Sequence, residues 1–188
     1  MSIASTSMTT EQLLAIPEDG TDRELIRGEL RERPMTKRNR HHARTEAKLA
    51  RLLGNTLDEN PTLGGDIYSG EVGVVLARDP DTTVGIDVAY FDQATVDRQS
   101  NSLTTMMEGV PRLAIEIMSP SDRIEDLQDK IEAYLDLKVE MVWLVDPRFR
   151  TIQVYRSDDL PIAYNVSQTI DLSPVMADQT LAVADVFA

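Results

Sequence analysis

Short apolar runs separated by turn residues dominate the pattern of hydrophobic positions along this chain. Runs of about four to eight mostly apolar residues are typical of strands. They predict strands at residues 71–77, 84–91, 113–118, 141–145, 151–155 and 164–166, and a hairpin over residues 23–33. Apolar residues at helical spacing predict helices over residues 41–57 and 122–138. This mixture predicts an α/β (α+β) fold in which helices flank a mixed sheet.

One end of the chain and one central connection are less regular. Thr9 and Gln12 have the spacing of a capping box, which predicts a short helix that Pro17 ends. Residues 92–110 are polar and weakly patterned, so we expect a mobile connection without regular structure. No repeat or linker divides the sequence. We therefore expect a flexible start at residues 1–8 and a single domain over residues 9–188.

Two carboxylates interrupt otherwise apolar strands. They are Asp87 and Glu116. Because side chains alternate between the two faces of a strand, Asp87 shares its face with Gly85 and Ala89, which leaves room for an ion or a substrate. A charge in an apolar strand is costly to bury unless it is paired, and a divalent cation is a common partner. A purely structural alternative is that each acid ends a strand or pairs with a buried arginine.

A lysine follows these strands on the next predicted helix. Lys130 would bring a positive charge near Asp87 and Glu116, and two carboxylates with a cation nearby are typical of metal-dependent phosphate chemistry. The alternative is an ordinary surface ion pair between Asp126 and Lys130, which lie four residues apart on the helix. The sequence alone leaves both possibilities open.

Composition limits the kind of site and the cellular location. The chain has 188 residues and no cysteine, and its only histidines are His41 and His42. Disulfides and thiolate metal sites are therefore excluded, and we expect any metal to be held by oxygen atoms. No apolar run approaches the roughly 20 residues that span a bilayer. Residues 1–8 lack the features of a secretory signal, so we expect a cytoplasmic protein.

Charge is distributed unevenly along the chain. The net charge is −13, which disfavours broad contact with nucleic acid. Residues 31–51 nevertheless carry a charge of +6, because eight basic residues outnumber Glu32 and Glu46 there. This basic segment contains Arg31, Arg33, Lys37, Arg38, Arg40, Arg44, Lys48 and Arg51. It is either a strip that binds phosphate or a solvated helix face with its own ion pairs.

Six segments between residues 9 and 187 form an ordered set of motifs. They are RELIRGEL (23–30), the helix led by His42, IDVAY (86–90), AIEIMSPS (114–121), the Asp126, Lys130 and Tyr134 positions of one helix, and VWLVDP (142–147). The set resembles a large bacterial family of restriction-endonuclease-like proteins within the PD-(D/E)XK nuclease superfamily. The resemblance implies a mixed β-sheet core flanked by helices, as in restriction endonucleases.

The resemblance also implies roles for individual side chains. Asp87 and Glu116 would be metal-binding and catalytic carboxylates. Most of the superfamily carries its lysine two residues after the glutamate, but that position is Met118 in this chain. The family is thought to take its lysine from the following helix, which corresponds to Lys130.

Two further positions are implied near the start of the chain. Glu29 would be an additional catalytic and metal-binding acid from the N-terminal hairpin, with Glu24 as the alternative. His42 would orient water or contact phosphate, unless it merely begins a helix. The resemblance thus extends the expected site beyond the two strands and the helix that carry Asp87, Glu116 and Lys130.

These inferences predict an Mg²⁺- or Mn²⁺-dependent endonuclease that hydrolyses nucleic-acid phosphodiesters, with DNA as the expected substrate. The basic segment would contact the nucleic acid, and a homodimer would suit an enzyme that cuts both strands. The main alternative is a catalytically silent module that uses the nuclease fold to bind nucleic acid or protein, which the net charge favours. A glycosidase-like carboxylate pair is disfavoured because only 5% of the residues are aromatic.

Overall fold

The architecture is a large mixed sheet with helices on both faces. The computed structural model describes residues 7–35, 39–99, 105–120 and 122–188. Its helices are α1 (Thr10–Leu14), α2 (Arg40–Glu59), α3 (Gln93–Gln99), α4 (Ile124–Asp136) and α5 (Val183–Phe187). Its strands are β1 (Thr21–Ile26), β2 (Glu29–Pro34), β3 (Asp66–Ala77), β4 (Thr82–Phe91), β5 (Met107–Glu108), β6 (Leu113–Ile117), β7 (Met141–Asp146), β8 (Thr151–Tyr155), β9 (Ile162–Asn165), β10 (Thr169–Asp171) and β11 (Thr180–Ala182). The predicted fold class is confirmed.

Strand order places the two acid-bearing strands side by side. The sheet runs β2-β1-β4-β6-β7-β8-β9, with β3 paired to β4 and β5 paired to β3. β6 and β7 are parallel and are connected through α4, whereas β4 and β6 are antiparallel. Parallel neighbours need a crossover, and α4 supplies it on one face of the sheet. This crossover lays α4 across the strands that carry Asp87 and Glu116.

Strand β4 has a divided edge at the position of Asp87. Its beginning pairs with β1 through Thr83, and its end pairs with β6 through Val88, Ala89 and Tyr90. The edge between these two pairings has no partner strand among the described residues, so its backbone groups must be satisfied by side chains or solvent. The fork between β1 and β6 is therefore where polar side chains can gather within the sheet.

Two apolar clusters hold the layers together. One contains Leu49 and Leu53 of α2 with Val88, Ile115 and neighbouring residues of the sheet. The other packs α4 against the opposite face of the sheet. Its helix residues are Leu127, Ile131, Ala133 and Tyr134. Because both faces of the central strands are covered, side chains that point from them towards α4 are removed from water.

The least patterned part of the sequence contains more structure than we predicted. Residues 93–99 form α3 and residues 107–108 form β5, whereas residues 100–104 lie outside the described residues. The Asp92 carboxylate accepts a 2.8 Å hydrogen bond from the Thr95 N–H and so begins the helix. The Gln99 amide then bonds both backbone groups of Glu108. These polar contacts stabilise α3 and β5 without an apolar face. The sequence prediction missed both elements because it relied on apolar periodicity.

Other expectations about the chain agree with the structure. The capping box is confirmed, since Thr9 and Gln12 exchange side-chain and backbone hydrogen bonds at the start of α1. The predicted long helices are present as α2 and α4, although α4 is shorter at both ends than residues 122–138. Among the described helices, none has the length and apolar character needed to cross a membrane. Most of the predicted flexible start, residues 1–6, lies outside the described residues.

Candidate active site

Asp87 and Glu116 are brought together by the pairing of β4 with β6. The antiparallel register pairs Val88 with Ile115. Asp87 and Glu116 are the next residues beyond this pair, so the two acids lie beside each other on neighbouring strands. They are only 4% and 5% exposed. The Ile117 N–H donates a 2.7 Å hydrogen bond to Asp87 Oδ2, which fixes the carboxylate on the edge of β6. The sequence prediction of two neighbouring buried acids therefore matches the geometry.

Lys130 reaches into the same place from α4. Its Nζ atom lies 3.0 Å from Glu24 Oε1 and 3.0 Å from Glu116 Oε1. It also donates a 2.8 Å hydrogen bond to the carbonyl oxygen of Gly85, within the fork of the sheet. Lys130 is 3% exposed, whereas Asp126 is exposed to solvent. The alternative of a surface pair between Asp126 and Lys130 is therefore wrong.

The N-terminal hairpin contributes Glu24 rather than Glu29. Glu24 is buried on β1 and accepts a 2.9 Å hydrogen bond from the Gly85 N–H in addition to its contact with Lys130. Glu29 lies on β2, which is an edge strand of the sheet, and its exposed carboxylate is 3.3 Å from Arg31. The structure does not bring Glu29 to the other carboxylates, because the edge strand turns its side chain towards solvent.

A tyrosine one turn after Lys130 completes the contacts on the α4 side. The Tyr134 hydroxyl donates a hydrogen bond of 2.5 Å to Glu116 Oε1, the same oxygen that Lys130 contacts. Tyr134 is completely buried. The hydroxyl of Tyr134 and the ammonium group of Lys130 thus both meet Glu116 at Oε1.

His42 lies on the other side of Asp87. Its Nε2 atom is 3.2 Å from Asp87 Oδ2, and its Nδ1 atom is 3.7 Å from Glu46 Oε2. The ring is completely buried in the first turn of α2, where the Asn39 side chain accepts hydrogen bonds from the backbone N–H groups. His42, Glu46 and Asp87 offer ligand atoms that lie within 4.8 Å of one another. These three side chains could hold a metal ion.

Burial and neighbouring charges determine the protonation of the cluster. Burial raises the pKa of Glu116 from its usual 4.5 to about 7; Lys130 opposes this rise, and Asp87 and Glu24 add to it. Burial lowers the pKa of Lys130, but Glu116 and Glu24 raise it by more, so the ammonium group stays charged. Burial and the charge of Glu116 raise the pKa of Tyr134, which therefore remains a hydroxyl donor.

A cleft of about 690 Å³ reaches the edge of this cluster, although Asp87 and Glu116 themselves are not among its lining residues. The β1–β2 hairpin and the first half of α4 form its walls, and Glu24 and Lys130 lie among its lining residues. Arg31 and Arg33 of the basic segment also line it. Arg33 lies 3.8 Å from Glu24 Oε1, so a guanidinium group stands close to the carboxylate cluster at the surface.

The rest of the basic segment does not converge on the cleft in the described residues. Arg44 donates a hydrogen bond to the carbonyl oxygen of Ala188, and Arg40, Lys48 and Arg51 lie along α2. Lys37 and Arg38 lie outside the described residues. The predicted single basic strip is therefore divided between a part at the cleft and a part on α2.

Tyr134 enters the sequence prediction only as a motif position and Glu46 does not enter it, although spacing could have placed both in the cluster. Tyr134 follows Lys130 by four residues, and Glu46 follows His42 by four residues. Residues four apart on a helix share a face, so each is placed beside a residue that was already under consideration. Nothing in the spacing alone shows that these faces point to Asp87 and Glu116.

Comparisons with known proteins agree with this architecture. A solved structure of a putative nuclease belonging to DUF820 from Anabaena variabilis matches with a TM-score of 0.77 and 20% identity, covering 96% of this chain and 97% of that chain. At this identity the match shows a shared fold. No curated protein matches the sequence. The family model described as "Uma2: Putative restriction endonuclease" matches residues 10–184. Since that match spans nearly the whole sequence, the chain belongs to the Uma2 family of restriction-endonuclease-like proteins.

Proposed function

We propose that this protein is a divalent-cation-dependent endonuclease that hydrolyses phosphodiester bonds in DNA. The observation that carries the proposal is the gathering of three buried carboxylates around one buried lysine. Three carboxylates, those of Glu24, Asp87 and Glu116, are each at most 6% exposed, and one ammonium group, that of Lys130, is buried with them. Several carboxylates buried close together are costly, and a bound divalent cation would balance their charge.

The chemistry of the donor atoms fits Mg²⁺ or Mn²⁺. Both ions prefer carboxylate oxygens, and the cluster offers these from two strands and a hairpin. Asp87 and Glu116 would be the principal ligands, with Glu24 on the side of the cleft. When bound, the cation would polarise the phosphodiester and lower the pKa of an attacking water. Family membership supports a nuclease-like activity, whereas the ion and the substrate are part of our proposal.

The remaining side chains would orient the ligands and stabilise charge. Lys130 lines the cleft and holds Glu24 and Glu116 at 3.0 Å, so its ammonium group can also stabilise negative charge that develops on a phosphate there. His42 contacts Asp87 Oδ2 and would keep that carboxylate in position. Each role follows from a contact that already exists within the described residues.

The cleft places basic side chains among acidic ones, with four basic and seven acidic residues in its lining. The net charge of −13 opposes binding of DNA over a broad surface. Arg33 lies 3.8 Å from Glu24 in the cleft wall, and Arg31 lines the same cleft, where it pairs with Asp129. Both would contact the phosphate backbone there. We therefore expect a short stretch of nucleic acid to be bound, with an affinity that falls steeply as salt increases.

The proposal is tested by measuring cleavage of plasmid and single-stranded DNA in Mg²⁺ or Mn²⁺. Asp87→Asn should abolish the cleavage because it removes a ligand charge with little change of shape. Asp158→Asn is the matched control, because Asp158 is an exposed acid outside the cluster. It should leave the rate unchanged. Cleavage that persists in Asp87→Asn, or in excess chelator, would refute the proposal.

The silent binding module remains the competing function, because the net charge favours it. A silent module would cleave neither substrate, and millimolar Mn²⁺ would not raise its melting temperature. An enzyme with the proposed site should be stabilised by Mn²⁺, because the ion binds the folded state. Thermal unfolding with and without Mn²⁺ therefore separates the two functions independently of the choice of DNA substrate.

A further inference from the structure

Two donors from one face of α4 meet a single oxygen of Glu116. Lys130 Nζ lies 3.0 Å from Glu116 Oε1, and the Tyr134 hydroxyl donates to the same atom over 2.5 Å. The two residues are four apart in α4, so consecutive turns of the helix present them side by side. The hydroxyl contact is the shorter of the two, and it is within the range of hydrogen bonds to charged acceptors.

This arrangement determines which oxygen of Glu116 faces the rest of the cluster. A carboxylate has two oxygens, and donors fixed on one of them orient the other. The Tyr134 hydrogen bond and the 3.0 Å approach of Lys130 both involve Oε1 rather than Oε2. Tyr134 is completely buried, and a buried ring has little freedom to move away.

From these contacts we infer that Tyr134 is a positioning residue for the metal site. It fixes Glu116 Oε1 and thereby presents Oε2 to a divalent cation shared with Asp87. The inference rests on the proposed function, since it requires that Glu116 bind a cation. Residues that orient metal ligands through hydrogen bonds typically change metal affinity by about 10-fold to 100-fold when they are replaced.

Calorimetric titration with Mn²⁺ tests the inference through Tyr134→Phe, which removes the hydroxyl and keeps the ring. We expect the dissociation constant for Mn²⁺ to rise at least about tenfold. Tyr90→Phe is the matched control. Tyr90 is also a buried tyrosine, and it lies on the Asp87 strand, but its hydroxyl donates to the carbonyl oxygen of Gly64. That variant should bind Mn²⁺ with unchanged affinity.

The outcomes separate this inference from the proposal on which it rests. Equal Mn²⁺ affinity in wild type and Tyr134→Phe, with both folded, would overturn the positioning role and leave the metal site intact. An equal loss of affinity in Tyr134→Phe and Tyr90→Phe would also overturn it, because the effect would then be structural. Absence of Mn²⁺ binding by the wild-type protein would refute the proposed metal site and the inference with it.

A second measurement on the wild-type protein does not depend on the folding of a variant. The chain has five tyrosines, and labelling their Cζ atoms with ¹³C gives one NMR signal for each. Titration with Mg²⁺ should move the Tyr134 signal with the same midpoint as a calorimetric titration with Mg²⁺, because its hydroxyl bonds a ligand of the ion. If no tyrosine signal moves while Mg²⁺ binds, the inference is wrong.

Discussion

Replacing Glu116 by glutamine removes a buried carboxylate while keeping nearly its shape. Burial raises the pKa of Glu116 from 4.5 to about 7, and one pH unit of difference between the folded and unfolded states corresponds to about 1.4 kcal/mol. The ionised side chain therefore destabilises the folded protein by about 3 kcal/mol at pH values well above 7. We expect Glu116→Gln to be more stable than wild type there, provided that no divalent cation is present.

The sign of the pH dependence follows from the direction of the shift. Because the folded state binds the Glu116 proton more tightly, wild-type stability should fall as pH rises from about 4.5 through about 7. Glu116→Gln lacks this proton. The difference in unfolding free energy between variant and wild type should therefore grow by about 2 kcal/mol between about pH 5.5 and about pH 8.5.

Urea unfolding in the presence of a chelator measures this difference. Trp143 is the only tryptophan and is completely buried in the core, so its fluorescence reports global unfolding. Glu132→Gln is the matched control, because Glu132 lies on the same helix and is exposed. Its difference from wild type should not change with pH. The reasoning would be refuted if the difference in unfolding free energy between Glu116→Gln and wild type did not change with pH. It would also be refuted if Glu116→Gln were less stable than wild type at high pH.

Two further predictions concern the neighbours of Glu116. Glu24→Gln should weaken Mn²⁺ binding in calorimetry by about tenfold or more, whereas Glu29→Gln should not change it. Equal effects of the two variants would mean that Glu29 also contributes to the metal site. Lys130→Met should lower the free energy of unfolding in chelator by about 3–5 kcal/mol, because it leaves Glu24 and Glu116 buried without their cation. A loss below about 1 kcal/mol would be typical of an exposed pair and would contradict the burial of Lys130.

The centre of the site could be predicted because strand periodicity is a strong signal. Asp87 and Glu116 stand out as charges in apolar strands, and alternation places Asp87 between Gly85 and Ala89 on one face. Lys130 was a candidate from its place on the next helix, and the family resemblance supplied the expectation that it acts in the site. The distance from Lys130 to Glu116 depends on how α4 crosses the sheet, which sequence spacing does not determine.

The choice between Glu24 and Glu29 depended on tertiary structure. Both acids lie in the same hairpin, and their sequence context is similar. Only the position of β1 beside β4 buries Glu24 against Gly85, while β2 remains at the edge of the sheet. The same limitation applies to α3, which is stabilised by the polar contacts of Asp92 and Gln99 rather than by an apolar face.

The most direct test of the account is the position of the metal ion. Crystals grown with Mn²⁺ can be measured near the manganese absorption edge, where anomalous scattering locates the ion without reference to the protein. The account predicts a peak bonded to the carboxylate oxygens of Asp87 and Glu116, with Oε2 as the Glu116 ligand. A peak that touches neither carboxylate, or no peak at saturating Mn²⁺, would contradict it.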